Sequence, residues 1–314
     1  MKARFLFVAL AATFFVSAHA QYASPEVMLV ADQGTGATPV CKIDRYDPVS
    51  GQYLGSFGQG WLKHPTGVKV VGFDCYVCDA NNTFTAVEKF NWATGAFEGL
   101  VVQDTGPVQW VDTALFGTGI LALQGGLIGS YNASTGVQIG GYTNLPNAPA
   151  QSMTVFNGNL YIAVSNVSGG IQRYGLNPNG SLGAGSTFSS SARSAVAGYT
   201  NRYGFDEIFS TSTTNLAITV GSPASPFGGT IFTTSGTGFY SHLDFGHAGA
   251  LYAMSGNRVD RWFAEEMYML SVGSFNLSQT VTPGGMAVYA APEPASMAAL
   301  AAGALCLIRR RRAR

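Results

Sequence analysis

The side chains that could carry out chemistry are few, and the cysteines are the first to consider. Outside the two ends of the chain they are Cys41, Cys75 and Cys78. In an oxidising compartment such cysteines form disulfides. Cys75 and Cys78 are three residues apart on a predicted strand, so their side chains should point to opposite faces and not form a redox-active pair. The sequence therefore predicts a disulfide from Cys41 to either Cys75 or Cys78.

Histidine and carboxylate side chains could form a metal site or an acid–base pair. His242 and Asp244 would share one face of a strand, with His247 beyond a turn, so such a role can be considered. Hydrogen bonding at turns and strand edges accounts for the same residue types. A zinc site using His64 lacks the paired second ligand motif. The chain contains no HExxH, GxSxG or phosphate-binding glycine loop, so we predict no catalytic residue, metal or cofactor.

The first twenty residues have the three parts of a secretion signal. Two basic residues precede an apolar stretch from Phe5 to Val16, and Ala18 and Ala20 supply the small residues that a signal peptidase reads. A buried N-terminal helix is the alternative, but it does not account for this order of parts. We expect residues 1–20 to be removed by signal peptidase, so that the mature chain begins at Gln21.

The C-terminal end also has three parts. Pro292, Glu293 and Pro294 should be extended, because proline disfavours helix and sheet on both sides of the glutamate. The apolar run from Ala295 to Ile308 is shorter than the roughly 20 residues of a relaxed transmembrane helix. Local bilayer thinning can compensate for that difference. A basic cluster follows, which would stay on the cytoplasmic side. Its members are Arg309, Arg310, Arg311 and Arg312.

This order of parts in residues 291–314 resembles the PEP-CTERM sorting signal of Gram-negative bacteria. The resemblance implies export, transient anchoring by a transmembrane helix, and processing by exosortase, a membrane-embedded cysteine protease. It further implies a cell-surface or extracellular location linked to exopolysaccharide or biofilm matrix. Pro292, Glu293 and Pro294 would then be recognised by another enzyme. An ordinary tail anchor is the alternative, although such anchors usually have a longer apolar run.

Charge excludes one class of partner for the region between the two ends. Residues 21–292 contain ten basic and sixteen acidic residues, a net charge of −6. A protein that binds nucleic acid through a basic face needs the opposite balance. The region is rich in Gly, Ser, Thr, Asn and aromatic residues, with apolar residues in short alternating runs. We therefore predict an all-β domain over residues 21–290 that does not bind nucleic acid.

An internal repeat organises this domain. Similar segments place an aromatic residue before a turn at intervals of 44, 41, 43 and 88 residues, and the last interval suggests a degenerate copy near residue 218. Asp32 and Asp79 occupy matching positions in two repeats, which predicts a turn or capping role. Asn157-Gly158 between apolar runs predicts a hairpin. The aromatic residues are Tyr46, Phe90, Tyr131, Tyr174 and Trp262.

Each repeat fits four short strands, which in the second copy lie near 67–71, 75–78, 86–90 and 96–102. A four-strand period of about 43 residues is typical of a β-propeller, and the domain length predicts six blades. Residues 283–288 resemble the start of the second blade, so the chain should end with a strand that pairs with its beginning and closes the ring. A β-sandwich is the alternative fold.

The repeats, in which Pro-x-Gly-Val precedes Tyr-Val-x-Asp and aromatic-Asp-x-x-Ser-Gly, resemble NHL-type repeats of six-bladed propellers. The likeness is best over residues 27–103 and poor over residues 186–238. A non-catalytic surface or matrix protein whose loops bind glycan or protein is the leading hypothesis, with exopolysaccharide and matrix proteins as partners. A secreted hydrolase or lyase of lactonase type, with a metal in the central channel, is the alternative; a purely structural matrix component is a third. Carboxylates converging at the channel mouth would favour the enzyme, and a narrow channel would not.

Overall fold

A computed structural model describes residues 26–290, except for residues 37, 81–84, 105–109, 125, 140, 146–148, 167–169, 202, 224–229, 234–237, 247–248, 266–267 and 280. The predicted signal peptide with its cleavage site at Ala18, Ala20 and Gln21, the sorting motif with its arginine cluster, and His247 lie outside the described residues. Within the described ranges, no helix is long and apolar enough to cross a membrane.

The described part of the chain forms six four-stranded antiparallel sheets, which are the blades of a propeller. Blade 1 contains β1 (Glu26–Asp32), β2 (Lys42–Tyr46), β3 (Tyr53–Phe57) and the last strand of the chain, β24 (Pro283–Ala290). Blade 2 contains β4 (Pro65–Val71), β5 (Asp74–Ala80), β6 (Thr85–Asn91) and β7 (Phe97–Asp104). Blade 3 contains β8 (Trp110–Phe116), β9 (Gly119–Gln124), β10 (Leu127–Asn132) and β11 (Thr143–Asn144).

The remaining three blades follow in the same order. Blade 4 contains β12 (Ala150–Phe156), β13 (Asn159–Val164), β14 (Gly170–Leu176) and β15 (Leu182–Ser189). Blade 5 contains β16 (Arg193–Thr200), β17 (Asp206–Ser212), β18 (Ala217–Gly221) and β19 (Thr230–Thr233). Blade 6 contains β20 (His242–Phe245), β21 (Ala250–Ser255), β22 (Arg258–Glu265) and β23 (Tyr268–Asn276). The prediction of a six-bladed propeller is therefore confirmed.

The ring closes through the pairing of the two ends of the domain. Strand β24 is the innermost strand of blade 1 and pairs antiparallel with β1, with Met28 opposite Val288 and Val30 opposite Met286. This is the closure predicted from the sequence. As a result, β1 has a strand partner on both sides, β24 and β2. It also brings Glu26 and Ala290 next to each other.

The core lies between the blades, because both faces of each inner strand are covered by a neighbouring sheet. In β1, Leu29 and Ala31 pack against blade 2, whereas Met28 and Val30 pack against blade 6. The described residues contain six such apolar clusters, one at each blade interface. Burial on two faces explains why this strand reads as a nearly continuous apolar run.

The repeat found in the sequence corresponds to the third strand of each blade. All five aromatic residues lie in such strands and are buried. The degenerate copy near residue 218 is β18, which has no aromatic residue. The second repeat forms β4 to β7, close to the predicted positions. The five aromatic residues in the third strands are Tyr46, Phe90, Tyr131, Tyr174 and Trp262.

The predicted hairpin at Asn157-Gly158 is also confirmed. Asn157 has φ 46° and Gly158 has φ 69°, and the two residues join β12 to β13. Positive φ at both central residues is the geometry of a type I′ turn, whose twist matches that of the flanking strands.

We expect Phe90→Ala to lower the free energy of unfolding by about 3–5 kcal/mol, because the side chain is fully buried and packs edge-on against Phe57 and Phe97. Urea denaturation followed by tryptophan fluorescence measures this loss. Val137→Ala is the control: Val137 is 64% exposed, and its truncation should change stability by less than about 0.5 kcal/mol. Equal losses in the two variants would contradict the assignment of Phe90 to the core.

Candidate functional site

The central channel is bordered by the first strand of each blade, since these strands contact one another around the ring. The cavity among its side chains has a volume of about 10 Å³. That is close to the minimum needed to hold one water molecule. Polar and charged side chains dominate its lining, in contrast to the apolar clusters between the blades. They include Thr66, Lys69, Asp112, Gln151, Ser152 and His242.

Two carboxylates at the channel connect neighbouring blades by the same pattern of hydrogen bonds. Asp112 accepts from the backbone N–H of the next residue, Thr113, at 2.8 Å and from that of Met153 in blade 4 at 2.8 Å. Asp244 accepts from the N–H of Phe245 at 2.9 Å and from that of Val288 in blade 1 at 2.8 Å. Each carboxylate thus holds the first strand of the following blade. Burial raises the pKa of both groups, and these hydrogen bonds and Lys69 oppose that rise.

Lys69 is the positive charge of the channel. Burial alone would lower the pKa of its ammonium, but the carboxylates of Asp112 and Asp244 raise it above its ordinary value. The lysine therefore stays protonated at neutral pH. Its charge balances part of the negative charge that the two aspartates bring to the channel, which would otherwise be costly in a poorly solvated site.

His242 lies on β20 in the same channel and is held by two hydrogen bonds. Its Nε2 is 3.0 Å from the carbonyl oxygen of Gly284 in blade 1, and its Nδ1 is 2.8 Å from the hydroxyl of Ser241. Because a carbonyl only accepts, Nε2 carries the proton. Burial lowers the pKa of His242 to about 4, helped by the charge of Lys69. A neutral imidazole that bridges two blades is the state this geometry favours.

The described residues contain no group of three or more His, Cys, Asp or Glu side chains arranged to hold a metal ion. His242 and Asp244, which were considered for a metal or acid–base role, are already hydrogen-bonded to backbone groups. His247, its third member, lies outside the described residues.

The two aspartates predicted to cap turns do so. Asp32 accepts hydrogen bonds from the N–H of Gly34 at 3.0 Å and of Thr282 at 2.9 Å. Asp79 accepts from the N–H groups of Lys63 and His64. In both blades an aspartate at the end of the second strand therefore holds the segment that leads into the first strand. This prediction is confirmed, and it explains why the residue recurs with the repeat.

The predicted disulfide is not formed in the structure, where Cys41, Cys75 and Cys78 are all free and buried. Cys75 and Cys78 lie in different apolar clusters on opposite faces of β5. The Sγ of Cys41 is directed to the carbonyl oxygens of Lys63, at 2.9 Å, and Gln33, at 3.2 Å. Burial raises the pKa of all three thiols, which therefore stay protonated. Apolar packing accounts for Cys75 and Cys78, each of which belongs to a buried cluster between two blades.

A second candidate site lies on the outer wall of the ring, between blades 3 and 4. This wall groove has a volume of about 270 Å³, near the lower end of the range for ligand sites. The hydroxyl of Tyr142, a side chain that is 41% exposed, lies 3.1 Å from that of Tyr131. No charged side chain is among the described residues that line the groove. They are Ile128, Ser130, Ile139, Gly141, Tyr142, Thr143, Ser181 and Leu182.

Sequence reasoning missed the wall groove, because its residues come from the least regular strand of blade 3 and from a turn of blade 4. Only Ser130 offers a signal, as a polar side chain next to Tyr131 in the short strand β10. Lys69 and Asp112 were also missed. No motif marks them, and they meet only when the first strands are brought together around the channel.

Comparison with known proteins separates the tail from the domain. Residues 290–312 match the family described as the PEP-CTERM protein-sorting motif. The chain therefore carries this sorting signal, which indicates export from a Gram-negative cell, transient membrane anchoring and processing by an exosortase-type enzyme. No curated protein matches the chain.

Solved structures agree with the propeller fold. A structure described as the nidogen/laminin complex contains a chain with a TM-score of 0.63 and 13% identity; the alignment covers 84% of this chain and 98% of that one. A functionally unknown protein from Desulfotomaculum acetoxidans DSM 771 has a TM-score of 0.58 and 12% identity, with 82% of each chain covered. At such low identity these matches establish the fold and leave function to be argued from sites.

One buried carboxyl group predicts a pH dependence of stability. The pKa of Glu88 is raised to about 7 by burial and by the charge of Asp79, and its Oε2 has no hydrogen-bond partner within the described structure. The folded state thus binds a proton that the unfolded chain releases near pH 4.3. Its contribution to stability, on the order of 3 kcal/mol, is complete below that pH, falls as the pH rises to about 7, and is absent above it.

We therefore expect Glu88→Gln to remove this part of the pH dependence, so that the variant loses less stability between pH 4.5 and pH 7.5 than the wild type. Urea denaturation at the two pH values measures the difference. Glu98→Gln is the control, since Glu98 is a partly exposed partner of Lys89. Identical slopes for Glu88→Gln and the wild type would contradict the raised pKa.

Proposed function

We propose that this chain is a cell-surface or extracellular-matrix protein, sorted by an exosortase-type system, whose propeller is a non-catalytic binding or structural module associated with exopolysaccharide. The observation that carries the proposal is the sorting motif over residues 290–312, joined directly to the last strand of the ring. A domain delivered in this way works outside the cytoplasm. The further question is whether its sites suit binding or chemistry.

The geometry of the channel supports binding or a structural role over hydrolysis. Asp112 and Asp244 both act electrostatically on Lys69, so the channel does contain carboxylates, as the lactonase-type alternative requires. However, both oxygens of each carboxylate already accept backbone hydrogen bonds that hold adjacent blades together. These bonds use one lone pair of each carboxylate oxygen to join the blades, and the cavity of about 10 Å³ is far smaller than the sites that hold substrates. We therefore place the hydrolase second.

The wall groove supports a neutral glycan as the bound partner. An exposed aromatic ring such as that of Tyr142 can pack against the apolar face of a sugar, and the hydroxyl group of Thr143 lies beside it. The absence of charged groups from its described lining favours an uncharged ligand, because burying an unpaired charge is costly.

Sorting is tested by the intact mass and cell fraction of the native protein in a host that carries the exosortase-type enzyme and in a strain that lacks it. We expect the segment after Pro292 to be lost only when the enzyme is present, with the propeller then recovered at the surface or outside the cell. An intact tail in the inner-membrane fraction of both strains would refute sorting and make the domain a tail-anchored propeller.

Glycan binding is tested with the exopolysaccharide purified from the producing host. Tyr142→Ala should weaken binding about tenfold in a sedimentation assay, since it removes the aromatic surface of the groove. Tyr203→Ala is the matched control, because Tyr203 is also exposed but lies in a turn of blade 5. Binding that is equal in the two variants would exclude the wall groove as the site.

A further inference from the structure

The face of the ring from which the C-terminal tail departs follows from the strand order. The first strands of blades 1 and 2 run in the same direction, since Gly284 approaches Pro65 and Gly285 approaches Gly67, and the other blades repeat this strand order. The turns between first and second strands therefore lie on one face. Ala290 ends a first strand and Glu26 begins a second, so both ends of the domain belong to that face. We call it the tail-side face.

The tail holds this face close to the membrane. Four residues separate Ala290 from the apolar run that begins at Ala295. Even when fully extended, this connection spans only about 18 Å. While the sorting signal anchors the chain, the tail-side face is therefore within a short distance of the lipid headgroups.

Two turns of this face display large apolar side chains to solvent. Val71 and Phe73, at the turn between β4 and β5, are 55% and 38% exposed. Tyr203 and Phe205, at the turn between β16 and β17, are 52% and 68% exposed. Tyr is enriched where proteins meet the interface between lipid and water, because its ring has one apolar and one polar region, and Phe enters the same layer as an apolar side chain.

Both turns are braced so that these side chains are held outward. Asn201 Oδ1 accepts hydrogen bonds from the N–H groups of Tyr203 and Phe205, each at 3.0 Å. In the other turn, Trp92 donates from its indole to the carbonyl of Gly72 at 2.9 Å and from its backbone to that of Phe73 at 3.1 Å. Preformed turns lose little conformational entropy when they bind.

The charges beside these turns distinguish between kinds of lipid. Asp74 follows the first turn and forms an ion pair with Lys89 at 3.0 Å. The two charges cancel, so this pair adds no net positive charge to the face. Arg202 stands next to Tyr203 in the sequence, and Asp206 and Glu207 follow the second turn, so residues 201–207 have a net charge of −1. A surface with this balance would not be attracted to anionic headgroups, whereas its apolar side chains can enter a zwitterionic interface.

We propose that the tail-side face is an interfacial membrane contact of the anchored form, in which Phe73, Tyr203 and Phe205 enter the headgroup layer of a zwitterionic bilayer. The propeller then lies with its channel axis along the membrane normal, and the opposite face points away from the membrane. Removal of the tail would release a contact that is too small to hold the domain at the membrane alone. This inference rests on the sorting signal and is independent of glycan binding.

The test reconstitutes the full chain into phosphatidylcholine vesicles that contain a nitroxide-labelled lipid with its quencher near the headgroup. Phe205→Trp places a reporter on the tail-side face, and Phe239→Trp places a matched reporter at a position that is 45% exposed in the segment leading into a first strand, on the opposite face. We expect the added fluorescence of Phe205→Trp to be quenched and that of Phe239→Trp to be unaffected. Equal quenching of both, or of neither, would overturn the proposal.

A second measurement uses the processed form without its membrane segment. This form should sediment weakly with the same vesicles, and added salt should change that little. Binding should fall about tenfold in the Phe73→Ser/Phe205→Ser variant and be retained in the control variant Trp61→Ser/Phe239→Ser. Circular dichroism verifies that all variants are folded. Phe205-dependent self-association in sedimentation velocity, without vesicle binding, would instead identify a second copy of the chain as the partner and overturn the lipid assignment.

Discussion

The antiparallel pairing of β24 with β1 is the interaction on which the rest of the structure depends. Blades cover one another face to face, so an open ring would leave an apolar sheet face exposed on each side of the gap. The final strand closes that gap by completing the first blade, with Val30 opposite Met286 at its centre. Closure also explains why both ends of the domain leave from one face. The sorting signal is thus attached to the strand that holds the ring together.

Close approach around the channel has its own requirements. Gly285 packs on Gly67, and Gly67 on Asp112, at distances that a side chain at either glycine would not permit without displacement of its neighbour. At the same level the aspartates of blades 3 and 6 hold the backbone of the following blade. Glycines and the aspartate carboxylates therefore both hold the first strands of neighbouring blades together. The cavity at this level of the channel has a volume of only about 10 Å³, whereas the wall groove and the tail-side face are open to solvent.

The repeat of the domain could be predicted from the sequence, whereas the state of its cysteines could not. The repeat survives as a pattern because each copy places one aromatic residue in the third strand, such as Phe90 and Tyr174, where a neighbouring blade covers it. Blade 5 weakened the pattern, since Ile218 and the rest of β18 fill this position without an aromatic ring. The predicted disulfide is not formed in the structure. The prediction rested on the redox compartment and the spacing of the cysteines, whereas the structure places them in the core as small apolar side chains.

The sequence by itself determined the sorting motif, the all-β class, the six blades and the closing strand. These depend on local order or on periodicity, both of which can be read along a single chain. Only the tertiary structure decided which side chains meet at the channel, where Lys69 interacts electrostatically with Asp112 and Asp244 from blades 3 and 6. It alone also revealed the wall groove beside Tyr142 and the tail-side face. Such sites are formed by residues far apart in the chain, and their contacts depend on how the blades are rotated and packed around the ring.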